Sequence, residues 1–174
     1  EAGLLLAEQS LQLGVHQGQS LVPEVQQLFR NCARQIRDCN LVAVSIGPGS
    51  FTGLRVGVVF AKTLAYATGC RVAAINTLLA IAHNAPSDVD RVQVVSDAQR
   101  SELFVEVFDR QPDGRWQSSS SVEIVSREKW AAGLEKEAVV MGPGLEKFAN
   151  VLAGRCRILD PASSTPQAAR LAEL

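Results

Sequence analysis

The stretch Ser45-Ile46-Gly47-Pro48-Gly49-Ser50-Phe51-Thr52-Gly53-Leu54-Arg55-Val56-Gly57 decides the fold. Leu41 to Ile46 leads into it as an unbroken apolar run, the pattern expected of a strand buried on both faces. Beyond it Leu54, Val58, Ala61, Leu64 and Ala65 recur at helical spacing as far as Thr68-Gly69, where glycine tolerates the left-handed conformation that ends a helix. A strand therefore runs through a tight turn into a helix. Gly47 and Gly49 permit backbone angles and close approaches that side chains block, and Pro48 stiffens the turn. Ser50 or Thr52 supplies the helix cap, the free amides after it attract an anion, and Arg55 adds positive charge nearby. The loop is not a Walker A loop, because no Gly-Lys-Ser/Thr follows at the required spacing. It is not a dinucleotide fingerprint either, because Gly-x-Gly lacks a glycine three residues on. As a generic pattern, Gly-Pro-Gly is more often a tight connection than a ligand loop.

Working outward, Leu4 to Leu13 alternates and reads as a strand, and Gly14 to Gln19 as a polar turn. A helix follows from Ser20 to Arg37, with Ser20 as N-cap, Pro23 in the first turn, and Leu21, Val25, Leu28, Phe29, Cys32 and Ile36 on one stripe; Asp38-Cys39-Asn40 breaks it. Past the glycine turn and its helix, Val72 to Ile75 reads as a short buried strand and Thr77 to Asn84 as a short helix. Val92 to Ser96 reads as a strand. Glu102 to Phe108 alternates strictly, and Pro112-Asp113-Gly114 marks a hairpin turn after it. Ser118 to Ser121 reads as loop, Ser126 to Leu134 as a helix, Ala138 to Met141 as a strand, Leu145 to Leu152 as a helix, and Cys156 to Leu159 as a strand. Thr165-Pro166 opens a terminal helix as N-cap and first helical residue. Strand–helix alternation is the signature of an α/β layering. The composition shift at Asn84 to Asp90 divides the chain into lobes 1–85 and 86–174. Gly142-Pro143-Gly144 echoes the first Gly-Pro-Gly turn.

Composition narrows the function. Of 174 residues 47% are hydrophobic and 20% charged, and the net charge of −1 gives no global pull toward nucleic acid. The four cysteines form no Cys-x-x-Cys pair and read as reduced thiols, and His16 and His83 stand far apart, so no metal is expected. No apolar run approaches a membrane helix and no signal peptide is visible, which makes the cytoplasm the expected compartment. The chain lacks an initiator methionine and reads as starting inside a longer protein. Asp97 and Glu102 flank a turn, Asp88 and Asp90 sit in a polar loop, and Ser50 has no base close in sequence. No catalytic residue is assigned.

The eleven residues Gly47 to Gly57 resemble the signature of the TsaB (YeaZ) family. Leu21-Val22-Pro23 resembles that family's Leu-Leu-Pro, Asp97-Ala98-Gln99-Arg100-Ser101-Glu102 its Asp-Ala-Arg-Arg-Gly-Glu, and Thr165-Pro166-Gln167-Ala168 falls where it starts a late helix. The family's opening strand ending in Asp-Thr-Ser and the strand after it have no counterpart here. Gln17-Gly18-Gln19 stands in place of His-Ser-Glu, and the last helix stops early.

The resemblance implies the actin-like, sugar-kinase-like nucleotidase fold, with two related lobes of which the first lacks its N-terminal strands. It also implies a non-catalytic subunit that supports a TsaD-like enzyme in threonylcarbamoyl transfer to the tRNA adenosine beside the anticodon. The implied partners are that enzyme, a TsaE-like ATPase, a second copy of the chain when alone, and tRNA only through the complex. A nucleotide would be held only at a partner interface. The partner face falls on the helices Ser20 to Arg37 and Thr52 to Thr68, at Val22, Val25, Gln26, Phe29, Leu54, Val58 and Lys62; Val22 and Val59 lie off the core stripes and would otherwise be exposed. Competing readings are a small-molecule kinase or ATPase using Gly47 to Thr52 as phosphate loop, a metallopeptidase, which the histidine spacing opposes, and a direct tRNA-binding module, which the charge and the 5% aromatic content disfavour.

Overall fold

A computed structural model describes residues 4–10, 17–145, 152 and 154–174. Among these residues two sheets form. In the first, β1 (Leu41–Ser45) and β2 (Arg71–Ile75) pair in parallel, with Leu41 opposite Arg71 and Ser45 opposite Ile75. The connection between them is α2 (Phe51–Thr68), which ends on Gly69 at φ 76°, as the sequence predicts. Gly57 is where α2 meets β1: a Cβ there would lie 3.6 Å from Val44 Cγ2. Ala61 and Leu64 are buried. The rest of this layer is thinner than the apolar runs suggest. Leu41 and Val72 remain 48% and 43% exposed, so neither strand is buried on both faces, because a two-stranded sheet has little neighbouring surface to cover it.

The first helix departs from its sequence reading at both ends. Helix α1 spans Gln17–Asn31, so Ser20 and Pro23 lie inside it rather than at its start. It stops well before Arg37. Ala33 takes φ 51°, and its amide and that of Arg34 close onto the carbonyls of Arg30 and Phe29. That turn satisfies the helix's last acceptors. Ile36 then falls in a separate 3₁₀ turn, Ile36–Asp38, where the Gln35 amide donates to Asp38 Oδ2. The expected strand at Leu4 does not form over residues 4–10; 11–13 lie outside the described residues. Leu4 to Ala7 instead line a cleft with Leu28 and Phe29 of α1 and with Cys32 just beyond it.

The second sheet is mixed. Its order is β5-β4-β3-β7-β8, with β6 also on β4. Strands β3 (Arg91–Gln99) and β4 (Glu102–Arg110) form an antiparallel hairpin, and β5 (Trp116–Ser118) returns on β4 through the expected Pro112-Asp113-Gly114 turn. A strand absent from the sequence reading, β6 (Glu123–Ser126), continues along β4, with Ile124 opposite Phe104. Helix α4 (Arg127–Gly133) is capped by Ser126, whose Oγ accepts from the Lys129 amide, as expected. Strands β7 (Val139–Met141) and β8 (Arg157–Ile158) are parallel to each other, and β7 is parallel to β3. The helix expected over 145–152 is described only at its ends, with Leu145 in a 3₁₀ turn, Pro143–Leu145.

Each face of this sheet carries a core. On one, Leu78, Ile81 and Ala82 of α3 (Thr77–Ala82) pack with Val92, Val94, Phe108, Trp116 and Met141. On the other, Trp130 of α4 packs with Val95, Leu103, Val140, Leu145 and Leu152. The last helix, α5 (Ala168–Glu173), returns to β1. It begins after Gln167 rather than at Thr165-Pro166, because Ser163 and Thr165 are held by their carbonyls, both of which accept from Asn84 Nδ2.

Candidate functional site

Strand β1 delivers the chain to Gly47, and the turn is fastened from below by Thr77. The Thr77 hydroxyl lies 2.6 Å from Ser45 Oγ and accepts from the Gly47 amide at 3.0 Å, while the Thr77 amide donates to the Gly47 carbonyl at 2.8 Å. Gly47 has φ 112°, and the Gly47–Pro48 peptide is cis. The Leu54 side chain fills the space beneath the turn, 3.1 Å from where a Gly47 Cβ would stand. Of the two cap candidates, Ser50 serves: its Oγ accepts from the Gly53 amide at 3.3 Å. Thr52, Gly53 and Arg55 follow on the exposed first turns of α2.

An apolar groove of about 450 Å³ runs between α1 and α2, lined by Leu21 and Val22 on one side and by Thr52, Arg55, Val56, Val59, Phe60 and Thr63 on the other. Val22 and Val59 are 47% and 58% exposed. Two turns beyond Val59 on α2 Tyr66 is 95% exposed, and Phe51 at the start of that helix is 76% exposed. Aromatic and branched side chains held this far into water along one helix mark a surface that another surface covers.

The sequence-derived residues divide over this geometry. Val22 lines the groove together with Thr52 and Arg55. Val25 and Phe29 are half-buried, Phe29 against Leu4 to Ala7, and Gln26 is exposed. Leu54 and Val58 are half-buried on the flank of α2 that turns to the sheet, and Lys62 is exposed beside them. Leu21, Val56, Phe60 and Thr63 complete the groove and were not among the partner-face residues expected from sequence. Their signal was present: α2 is apolar on more sides than a single sheet contact needs.

The chemistry on offer is adhesive. Arg55 is the charged residue of the groove wall. His83 caps the C-terminus of α3, far from the turn in the chain, and His16 lies outside the described residues. Among the described residues no three His, Cys, Asp or Glu side chains converge as metal ligands, and no helix is long and apolar enough to cross a membrane.

A mixed sheet layered with helices, and a strand–glycine turn–helix unit against it, place the chain in the actin-like nucleotidase class of α/β proteins. The family model described as "TsaD: tRNA N6-adenosine threonylcarbamoyltransferase" matches residues 15–113. Among solved structures, YeaZ from Pseudomonas aeruginosa superposes with a TM-score of 0.77 at 26% identity, covering 94% of this chain and 77% of that one. A second Pseudomonas aeruginosa structure, described as similar to peptidase YEAZ, gives 0.75 at 27% identity over 92% and 74% of the two chains. The tRNA threonylcarbamoyladenosine biosynthesis protein TsaB of Escherichia coli is 27% identical over 75% of this chain and 58% of its own length. That of Bacillus subtilis is 31% identical over 50% and 38%. The chain belongs to the TsaB (YeaZ) family within this TsaD-type group. It spans about three fifths of the Escherichia coli relative and two fifths of the Bacillus subtilis one.

Proposed function

We propose that the chain works in tRNA threonylcarbamoyladenosine formation as a non-catalytic subunit that binds and supports a TsaD-like transferase. The observation that carries this reading is the apolar groove between α1 and α2, flanked by the exposed Val22, Val59 and Tyr66. It is a surface suited to another helical face, and the named relatives act in that pathway. The glycine turn sets the start of α2 and so holds one wall of the groove in place. In the same reading the lobes divide at residues 85 and 86, a TsaE-like ATPase joins the complex, tRNA is met only through the complex, and the chain pairs with itself through the same face when alone. A nucleotide is held only at the partner interface. The setting is the cytoplasm.

The test is co-purification of the tagged chain with the TsaD-type protein of the same cell. Val22→Asp and Val59→Asp, each on an exposed groove wall, are expected to abolish recovery of the partner while the circular dichroism spectrum and melting midpoint stay unchanged. Phe29→Asp is a poorer probe than the sequence suggests, since its side chain is half-buried and lines a separate cleft with Leu4 to Ala7. Undiminished pairing of both groove variants would defeat the assignment. ATP turnover by the chain alone would favour a kinase-like role.

A further inference from the structure

We infer that the partner covering α2 does so with an acidic helix, and that the charge on α2 ranks this partner above a second copy of the chain. The inference rests on the reading of the α1/α2 groove as a partner face. Arg55, Val59, Lys62 and Tyr66 follow one another along α2 at steps that alternate between a little more and a little less than one helical turn. At about 100° per residue they fall within roughly 60° of arc, a single stripe along the helix. All four are exposed. Cation and apolar side chain alternate along the stripe. Arg55 and Val59 also line the groove, so stripe and groove form one continuous surface.

Helix α2 carries no Asp or Glu. Arg55 and Lys62 are its charged side chains, and among the described residues neither forms an ion pair. Carboxylates on neighbouring elements are engaged elsewhere: Glu24 of α1 accepts from Gln9 Nε2, and Asp38 of the 3₁₀ turn accepts from the Gln35 amide. A helix laid over Val59 and Tyr66 brings its own side chains against both cations. Covering an unpaired guanidinium or ammonium is costly, whereas carboxylates on the covering helix, about two turns apart, answer both. A second copy cannot supply them from its own α2. Crossed antiparallel about Val59, Arg55 of one copy meets Lys62 of the other; crossed in parallel, each cation meets its own equivalent. Like-charge repulsion therefore weakens self-pairing, and an acidic partner helix displaces it. The two pairings respond to salt with opposite sign, because screening weakens attraction in one and repulsion in the other. A nucleic-acid strand would also meet the cations, yet Val59 between them offers no stacking platform and the groove beside them has apolar walls.

The test measures the affinity of the full chain for the TsaD-type protein of the same cell, and its self-association by sedimentation, at low and at high sodium chloride. The pair with the TsaD-type protein is expected to weaken as salt rises, and self-pairing to hold or strengthen. Arg55→Glu combined with Lys62→Glu, at exposed helical positions, is expected to leave the circular dichroism spectrum unchanged, to weaken the heterologous pair about tenfold or more and to flatten its salt dependence. Mixed with wild-type chain, the same variant is expected to form a mixed dimer tighter than either homodimer. Wild-type affinity and salt response in the charge-reversed variant, while Val22→Asp and Val59→Asp abolish binding, would refute the acidic helix and leave the groove reading standing. Undiminished binding by all of these variants would remove both. Full pairing of the reversed variant with the TsaD-type protein, together with lost tRNA retention by the complex, would assign the stripe to nucleic acid instead.

Discussion

Gly142 shows how much one missing side chain decides. It sits at φ 121° where β7 leaves the sheet, and a Cβ there would lie 2.1 Å from the Val95 carbonyl oxygen. The turn rides directly on the backbone of β3, and neither partner can give, since both belong to the central pair of the sheet. Gly142→Ala is expected to cost about 3 kcal/mol or more of stability, read as a lowered denaturant midpoint. Gly53→Ala is the contrasting case. It lies within helix α2, and its new methyl would meet Ser50 Oγ at an ordinary 3.6 Å. That change is expected to be neutral or to stabilise by up to about 1 kcal/mol, since alanine is the better helix former. The sequence marked both Gly-Pro-Gly turns as strand-to-helix connections but gave no reason to rank them. The ranking depends on which backbone passes behind each glycine, and residues far away in the chain supply it. Ser101 illustrates the converse. It has no glycine's freedom, yet the structure gives this serine φ 64°, after Gln99 and Arg100 at 69° and 48°. The Asp97 carboxylate steadies the bend by accepting from the Gln99 amide and from Arg127 Nη2.

At the scale of elements, caps and pairings separate what was readable from what was not. The periodicity of α2, the Ser126 cap of α4 and the β4–β5 hairpin are local patterns, and each was legible. Strand β6 was not, because its four residues owe their state to the free edge of β4 rather than to their own alternation. The end of α1 was misplaced because Cys32 and Ile36 keep helical spacing across a break that Ala33 makes with an unusual backbone angle. The α1/α2 groove was half legible: Val22 and Val59 stood out as off-stripe, whereas Leu54 and Val58, which share the inward spacing of Ala61 and Leu64 and are half-buried accordingly, do not line the groove. Helix α3 hides its cap in the same way. Asn76 Oδ1 accepts from the amides of Leu78 and Leu79, while its Nδ2 donates to Glu106 Oε2 at 2.9 Å. Glu106 is 4% exposed and takes its other bond from Ser118 Oγ. Asn76→Ala removes the cap and also strips a donor from a buried carboxylate, so its cost should exceed the roughly 1 kcal/mol of a lost cap alone and reach about 2–3 kcal/mol. Ser50→Ala, with one capped amide and solvent beside it, sets the scale for comparison; equal losses for the two would show that Glu106 does not depend on Asn76.

Across the whole molecule, the two sheets exchange helices. Thr77 fastens the start of α3 to the Gly47 turn at the end of β1, yet the apolar residues of α3 complete the core of the second sheet. In return α5, from the far end of the described chain, comes back to β1. Arg110, on the second sheet, adds a clasp by donating to the carbonyls of Ala85, Pro86 and Val89 while stacking 4.4 Å over Trp116. The connecting residues Ser87, Asp88 and Asp90 are exposed, so a protease can reach the link without disturbing any of these contacts. Severed there, the polypeptide should behave as a mutual lock: the two pieces are expected to co-elute on gel filtration as one species, and to part only once denaturant has melted both.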